Sequence, residues 1–174
     1  MFTAYTYLAD ILETVASIPT QHVGWWLMGF GAVGLIGNDL GGRMVANNPL
    51  RATSRAAAVL AVGMAVTVPL APHAAGLIVA LAVWGLANTA LYPICQIRVM
   101  RTASHAQALA GTLNVSMANA GIGLGAIIGG AVIKSLGIAN LGFVAAGIAV
   151  LASVVAMLIS RFSPGADGTF PTSD

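Results

Sequence analysis

The chain has 174 residues, of which 58% are apolar and only 7% are charged, and its formal net charge is +2. A soluble domain carries about 25% charged residues, so this composition argues against an ordinary water-soluble fold. It also argues against a nucleic-acid-binding protein, because no basic face with aromatic partners lies outside the apolar segments.

Five long apolar windows follow one another along the chain: 24–42, 56–71, 75–95, 108–133 and 141–160. A hydrocarbon core about 30 Å thick needs roughly 20 residues of helix, a length that four windows meet and 56–71 narrowly misses. Backbone in lipid must satisfy its own hydrogen bonds, and the alternating pattern of a barrel strand is absent. The sequence therefore predicts an all-α, multi-pass integral membrane protein that contacts the lipid bilayer directly.

An additional short apolar segment, 1–15, precedes these windows. At about 1.5 Å per residue its apolar part covers only some 18 Å, which is too short to cross. It lacks the basic start and small-residue cleavage site of a secretory signal. We interpret it as the outer end of a sixth helix whose beginning is absent, which predicts a six-helix bundle over 1–161 with a truncated first helix.

The basic residues predict the orientation of this bundle. Six of the seven fall in three segments on one side of the topology: Arg43, Arg51, Arg55, Arg98, Arg101 and Arg161. Lysine- and arginine-rich short loops remain cytoplasmic, so we expect a cytoplasmic C-terminus in a bacterial-type inner membrane. Residues 162–174 are then a polar, disordered cytoplasmic tail.

Two acidic residues, Asp10 and Asp39, lie in or border the apolar windows, while Glu13 is already at the predicted outer loop. An ionisable group there is costly unless it is paired or hydrated, so each is a functional candidate, including a proton site. Asp10 falls near the outer surface. Asp39 lies four residues before Arg43, and for it we favour an ion pair at the inner rim over a proton relay.

Polar residues share one face of the helix predicted over 75–95. Trp84, Asn88, Tyr92 and Cys95 recur at i, i+4, i+8 and i+11, and Pro93 beside them favours a kink. Two interpretations remain open: a helix–helix contact in which Asn88 bonds a neighbour, or a wall of a substrate cavity.

A second polar and small-residue face runs along the helix predicted over 108–133, with members Asn114, Ala118, Gly121, Gly125 and Gly129, and with Asn119 close by. Small residues at every fourth position let two helix backbones approach closely, so this face favours helix packing. Gly34, Asn38 and Gly41 repeat the pattern in 24–42. We therefore expect both helices to pack tightly.

Nothing in the chain supports an enzyme, a metal site or a cofactor. Cys95 is the single cysteine, which excludes an internal disulfide and makes a cysteine-based metal site improbable. The three histidines fall in predicted loops or helix ends, and we find no Ser/His/Asp or paired-carboxylate spacing on one face.

Three stretches carry a resemblance to a known family: Phe-Thr-Ala-Tyr-Thr-Tyr-Leu-Ala-Asp at 2–10, Gly-Asn-Asp-Leu-Gly-Gly-Arg at 37–43, and the Asn- and Gly-rich fifth helix. Together they resemble the C-terminal half of a major facilitator superfamily transporter, in the arabinose- and chloramphenicol-type drug and sugar efflux branch. The resemblance implies helices seven to twelve of twelve. It also implies proton antiport by alternating access around a small-molecule substrate held between two halves.

The same resemblance extends to a cytoplasmic gating motif after the eighth helix. Gly42 matches its glycine and Arg51 a later basic position, but Ala46 and Asn47 stand where the family has Asp and Arg. A gating salt bridge is therefore not expected at that spot. The inner-rim candidates are Asn38, Asp39, Gly42, Arg43 and Arg51.

Alternating access needs two bundles, so this chain is expected to act with an N-terminal half or a second copy of itself. The candidate cavity residues are Trp84, Asn88, Tyr92, Asn114 and Asn119. The alternative is a non-transporting fragment, or a small membrane scaffold or assembly partner without a substrate path. Water-accessible asparagines would favour the transporter, and buried, partnered asparagines the scaffold.

Overall fold

A computed structural model describes residues 2–45, 49–103 and 105–162 of the chain. Seven α-helices lie in these ranges: α1 (Phe2–Tyr5), α2 (Leu8–Thr14), α3 (Thr20–Met44), α4 (Pro49–Leu70), α5 (Ala74–Thr102), α6 (Gln107–Leu136) and α7 (Leu141–Phe162). A short 3-10 helix, Ile138–Asn140, leads into α7. No strand occurs in the described ranges, which confirms the all-α prediction. Ala46, Asn47 and the predicted tail after Phe162 lie outside them.

Four helical segments in the described ranges are long and apolar enough to cross a membrane: Arg51–Leu70, Ala74–Thr102, Gln107–Leu136 and Ile138–Val155. Helix α4 begins well before the window 56–71, so that segment gains the length it lacked in sequence. Helix α3 has 25 residues, a sufficient length. Its glycines, Asn38 and Asp39 make it less apolar than the other four, and the crossing expected over 24–42 stays a prediction.

The N-terminal segment is broken into α1 and α2 rather than forming one continuous helical end. The backbone N–H of Tyr7 bonds to the Ala4 carbonyl at 3.2 Å, a tight three-residue turn. The Tyr7 hydroxyl donates to the carbonyl of Ala126 in α6 at 2.8 Å. Its ring lies against Gly129, where a Cβ would come 2.9 Å from Tyr7 Cδ2. Tyr7, which is anchored to α6, therefore lies at the point where the chain is interrupted between α1 and α2.

Helix α5 is the centre of the bundle, packed against α3 on one side and α4 on the other, and α4 packs in turn on α7. Glycines of α3 make the first contact close. A Cβ on Gly37 would lie 2.8 Å from Leu86 Cα, and one on Gly41 would lie 2.7 Å from Ala90 Cα. The core around these contacts is mostly aliphatic with aromatic members, and its largest fully buried apolar side chains are Trp84, Leu8, Ile11, Leu12, Leu60, Met64, Leu77, Ile94 and Leu141.

Helix α6 stands further from the bundle than the other long helices. Its contacts are chiefly with α1 and α5, and its buried residues are few: Ala110, Gly111, Gly125, Gly129 and Val132. Large apolar side chains such as Leu113, Met117 and Ile127 are exposed on it. A cavity therefore separates α6 from the packed helices.

Candidate functional site

The first candidate site is a concave surface of about 380 Å³ between α3 and α5, closed at one end by α1, which we call the α3–α5 groove. Its lining residues are Tyr5, Phe30, Gly31, Gly34, Leu35, Asn38, Asn88, Thr89 and Tyr92. Pockets that bind small molecules have volumes of about 300–1,000 Å³, and the volume of the groove falls within that range. None of these described lining residues is acidic or basic.

Asn88 is the unusual member of the groove. It is 7% exposed, and its Oδ1 is buried and accepts no hydrogen bond from any described residue. The neighbouring Thr89 differs, because its hydroxyl donates to the Gly85 carbonyl at 2.8 Å. Buried polar groups in proteins are nearly always hydrogen-bonded. The unmatched amide thus marks a place where a partner of the groove can bind.

Aromatic rings form the apolar part of the groove. The ring centroids of Tyr5 and Phe30 are 5.8 Å apart with an interplanar angle of 34°. Phe30 meets Trp84 edge-on, with centroids 5.6 Å apart at 82°. Trp84 is only 1% exposed and lines neither candidate site. Sequence periodicity put it on the polar face of α5, but its indole lies in the core behind Phe30 and fixes that ring.

The second candidate site is an open cavity of about 500 Å³ lined mainly by α4, α5, α6 and α7, with Thr3 of α1 at its border, which we call the four-helix cavity. Its lining is mostly apolar, and the polar or sulfur-bearing members are Thr3, Thr53, Ser54, Tyr92, Cys95, Asn114, Met117 and Ser153. Tyr92 is 43% exposed and lines both sites. The structure therefore brings Asn88, Tyr92 and Asn114 to two adjoining concavities.

Asn114 links α6 to α5. Its Nδ2 donates to Oε1 of Gln96 at 2.7 Å. Sequence reasoning missed Gln96, although its position four residues after Tyr92 was a signal, because residues at i and i+4 share a helix face. Asn119 is exposed and lines neither site. Of the two asparagines expected to be polar cavity residues on α6, Asn114 is hydrogen-bonded to α5 and Asn119 is exposed.

The inner-rim candidates lie mainly at the C-terminal end of α3. Asp39 Oδ2 forms an ion pair with Arg43 Nε at 2.9 Å, and both side chains are largely exposed. Asn38 is one turn further into the helix and lines the groove, Gly42 meets open space, and Arg51 is exposed on α4.

A contact that the sequence did not reveal joins the ends of α3 and α5: Arg101 Nη1 donates to the Val45 carbonyl at 3.2 Å. A cation at a helix C-terminus also complements the negative end of the helix dipole.

The remaining candidates are scattered. Asp10 is exposed in the first turn of α2 and lines neither site. Among the packing glycines, Gly34 lies against Thr89, Gly41 against Ala90 and Gly129 against Tyr7. Gly125 is buried and lines the four-helix cavity, whereas a Cβ on Gly121 would meet nothing within 4 Å among the described residues. A packing role for Gly121 stays a prediction.

Comparison with known proteins identifies relatives over most of the chain, although no protein-family model matches it. An inner membrane transport protein of Escherichia coli O157:H7, YdhP, is 35% identical over 166 residues, which is 94% of this chain and 42% of that protein. A probable sugar efflux transporter of Mannheimia succiniciproducens is 28% identical over 145 residues, 83% of this chain and 36% of that protein.

A third relative is an uncharacterized MFS-type transporter of Bacillus subtilis strain 168, YtbD. It is 29% identical over 158 residues, which is 88% of this chain and 40% of that protein. The chain thus spans about two fifths of the length of these relatives. The similarity extends along nearly all of its helices.

Proposed function

Because the chain belongs to the major facilitator superfamily, we propose that it forms one half of a small-molecule efflux transporter of the inner membrane, working by alternating access. The observation that carries the proposal is the α3–α5 groove, an uncharged concave wall with an unmatched buried amide at Asn88. Relatives named as a sugar efflux transporter and as inner membrane transport proteins support the transport class.

The groove gives this half one wall of a site, and the opposite wall comes from a second half. In this superfamily two six-helix halves rock about a site near the middle of the membrane. Asn38, Asn88 and Tyr92 lie along the groove and face such a partner, while Asn114 lines the adjoining cavity. We propose an N-terminal half as the partner, with a second copy of this chain as the other option.

Proton antiport is the proposed coupling, and the proton-binding acid is proposed to lie on the partner half. No acidic side chain lines the groove or the four-helix cavity among the described residues. Asp39 is paired with Arg43, and Asp10 is exposed away from both sites. Drug-like compounds and sugars are the two proposed substrate classes.

The inner rim is proposed to move during the transport cycle. Arg101 bonds the C-terminal end of α3 through the Val45 carbonyl, and Asp39 and Arg43 form an exposed pair one turn earlier. With the C-terminus cytoplasmic, these contacts lie at the cytoplasmic face. The Arg101 bond holds the ends of α3 and α5 together when that side is closed, while the Asp39–Arg43 pair lies within α3.

Transport can be tested in inverted membrane vesicles. Three strains are compared. One expresses the chain alone, one expresses it together with the remaining part of Escherichia coli YdhP as a separate polypeptide, and one expresses neither polypeptide. Vesicles are acidified by respiration, and a pH-sensitive dye reports proton release when drugs or pentoses are added. We expect substrate-dependent proton release only when both polypeptides are present and co-purify. Co-purification without proton release for any compound would contradict the proposal.

A membrane scaffold remains the second candidate, favoured by one observation: Asn114 is already paired with Gln96 inside the chain. Cysteine accessibility separates the two functions. Asn88→Cys in a Cys95→Ser background is labelled with an impermeant maleimide in right-side-out and inverted vesicles. A transporter exposes position 88 to water from at least one side, whereas protection from both sides supports the scaffold.

A further inference from the structure

The Asn88 amide has no hydrogen-bonding partner among the described residues, where the other buried side-chain polar atom without a partner is Nε1 of Trp84, one turn earlier on α5. The Asn88 side chain is 7% exposed and lines the α3–α5 groove, and its Oδ1 is buried without a donor among the described residues. An unpaired amide of this kind is unfavourable, more so where the surroundings are apolar. Rotation about the last side-chain bond exchanges its oxygen and nitrogen, so it can accept or donate.

Beside this amide lies an aromatic surface, in which the Tyr5 side chain is 45% exposed and that of Phe30 only 7% exposed. Tyr5 and Phe30 are tilted by 34° with centroids 5.8 Å apart, and both line the groove. Phe30 is held in place from behind by the edge of Trp84. Flat apolar groups stack favourably on such rings. The Asn88 amide and the Tyr5 ring together match a molecule that has a hydrogen-bonding group next to a planar part, and the side chains of Asn38 and Tyr92 also line this wall.

The charge of the groove limits the molecule further. The described residues that line it carry no formal charge. Asp39, the residue after the lining residue Asn38, is paired with Arg43 within α3. Bringing an isolated charge to an apolar, membrane-embedded surface without a counter-ion is strongly unfavourable. This wall therefore favours a neutral ligand over a cationic or anionic one.

We propose that the α3–α5 groove binds a neutral molecule with a planar aromatic part stacked on Tyr5, whose ring rests on Phe30, and a hydroxyl or amide bonded to Asn88, in preference to a free sugar. This inference rests on the proposed function, because it names the substrate class of the same wall. A pentose has several hydroxyls, all of which need partners, while the buried part of the groove has one unmatched amide. A pentose would also leave the aromatic surface of the groove without a stacking partner.

Equilibrium dialysis of the purified chain in detergent tests this directly. The probes are 2-naphthalenemethanol, its trimethylammonium analogue (2-naphthylmethyl)trimethylammonium, 2-naphthoate and L-arabinose. Binding is measured as the difference from protein-free micelles, which removes partition into detergent. We expect saturable binding of the neutral aromatic alcohol, at least about tenfold tighter than that of either charged analogue or of the sugar.

Two variants and one control assign the binding to the groove. Asn88→Leu should weaken binding of the alcohol about tenfold, because one neutral hydrogen bond is lost. It should not lower the melting temperature, because it replaces an unmatched buried amide by an apolar group of similar size. Phe30→Leu should weaken binding about fivefold, because it removes the ring against which the stacking residue Tyr5 is placed. The control is the same exchange at Asn140→Leu, an exposed residue of the 3-10 helix that lines neither site, and it should leave binding unchanged.

Several outcomes overturn the inference. These are the absence of saturable binding, tighter binding of a charged probe or of arabinose, or equal binding by wild type, Asn88→Leu and Phe30→Leu. The result is independent of the vesicle experiment, since dialysis requires no partner half and no proton gradient. Proton release with arabinose alone would support transport and overturn this substrate class. Selective binding of the alcohol without proton release would support the groove and contradict transport.

Discussion

Substitution of Gly37 by alanine should separate α3 from α5. A Cβ at this position would lie 2.8 Å from Leu86 Cα and would also overlap the Leu86 carbonyl oxygen. Carbon atoms in contact prefer about 3.5–4.0 Å, so the two backbones must move apart by several tenths of an ångström or more. Backbone atoms cannot turn away as a flexible side chain can, and α3 with α5 is among the largest contacts of the bundle.

The expected magnitude follows from two opposing effects. Overpacking of a close contact costs about 1–3 kcal/mol. Alanine in a helix is more favourable than glycine by about 1 kcal/mol, a gain that the control Gly31→Ala isolates because a Cβ there meets nothing within 4 Å. We therefore expect Gly37→Ala to be less stable than Gly31→Ala by about 1–3 kcal/mol. For a chain of this size that is a difference in melting temperature of roughly 2–10 °C.

Thermal unfolding in detergent measures this difference, and the chain contains its own reporter. Cys95 is the single cysteine and lies partly buried on α5, so a thiol-reactive dye reports the opening of that helix. Circular dichroism at 222 nm serves as the independent measurement. If Gly37→Ala melts at or above the temperature of Gly31→Ala, the close approach of α3 and α5 described above is refuted.

Three further predictions concern the links between helices. Tyr7→Phe removes the hydroxyl bond to α6 and should lower the unfolding free energy by about 0.5–1.5 kcal/mol, with faster hydrogen exchange in the middle of α6 as the check. Arg101→Ala should speed exchange at the C-terminal end of α3 around Val45, whereas Arg55→Ala should not; equal rates in the two variants would contradict the clamp. Asp39→Asn breaks an exposed ion pair and should change stability by less than about 1 kcal/mol, and 1 M NaCl should abolish the difference in melting temperature.

The four-helix cavity exists because α6 stands apart from the packed helices. Helix α6 is tied to the packed helices by the Tyr7 hydroxyl at Ala126 and by Asn114 at Gln96, and the cavity lies between it and the rest. Polar links between otherwise loosely packed membrane helices contribute modestly, about 0.6–2 kcal/mol each. Helix α6 is therefore the long helix whose position we expect to respond most to a partner half.

Much of the fold could be predicted from the sequence because its causes are local. The low charge content and window lengths predict helices in lipid, since a backbone without water must bond to itself. The resemblance in 2–10 and 37–43 indicated the superfamily that the relatives support. The ion pair of Asp39 with Arg43 also follows from sequence, because residues four apart are neighbours on any helix.

Tertiary structure alone decided which polar residues have partners. Periodicity placed Trp84 and Asn88 on one face of α5, but a face has a width, and only the neighbours of α5 determine what each part of it meets. Packing of α3 and α4 put Trp84 in the core and left the Asn88 amide at the groove without a partner. The pairing of Gln96 with Asn114 depends on the relative rotation of two helices. Helical spacing determines which residues share a face of one helix. The contacts between helices determine which neighbouring residues each face meets.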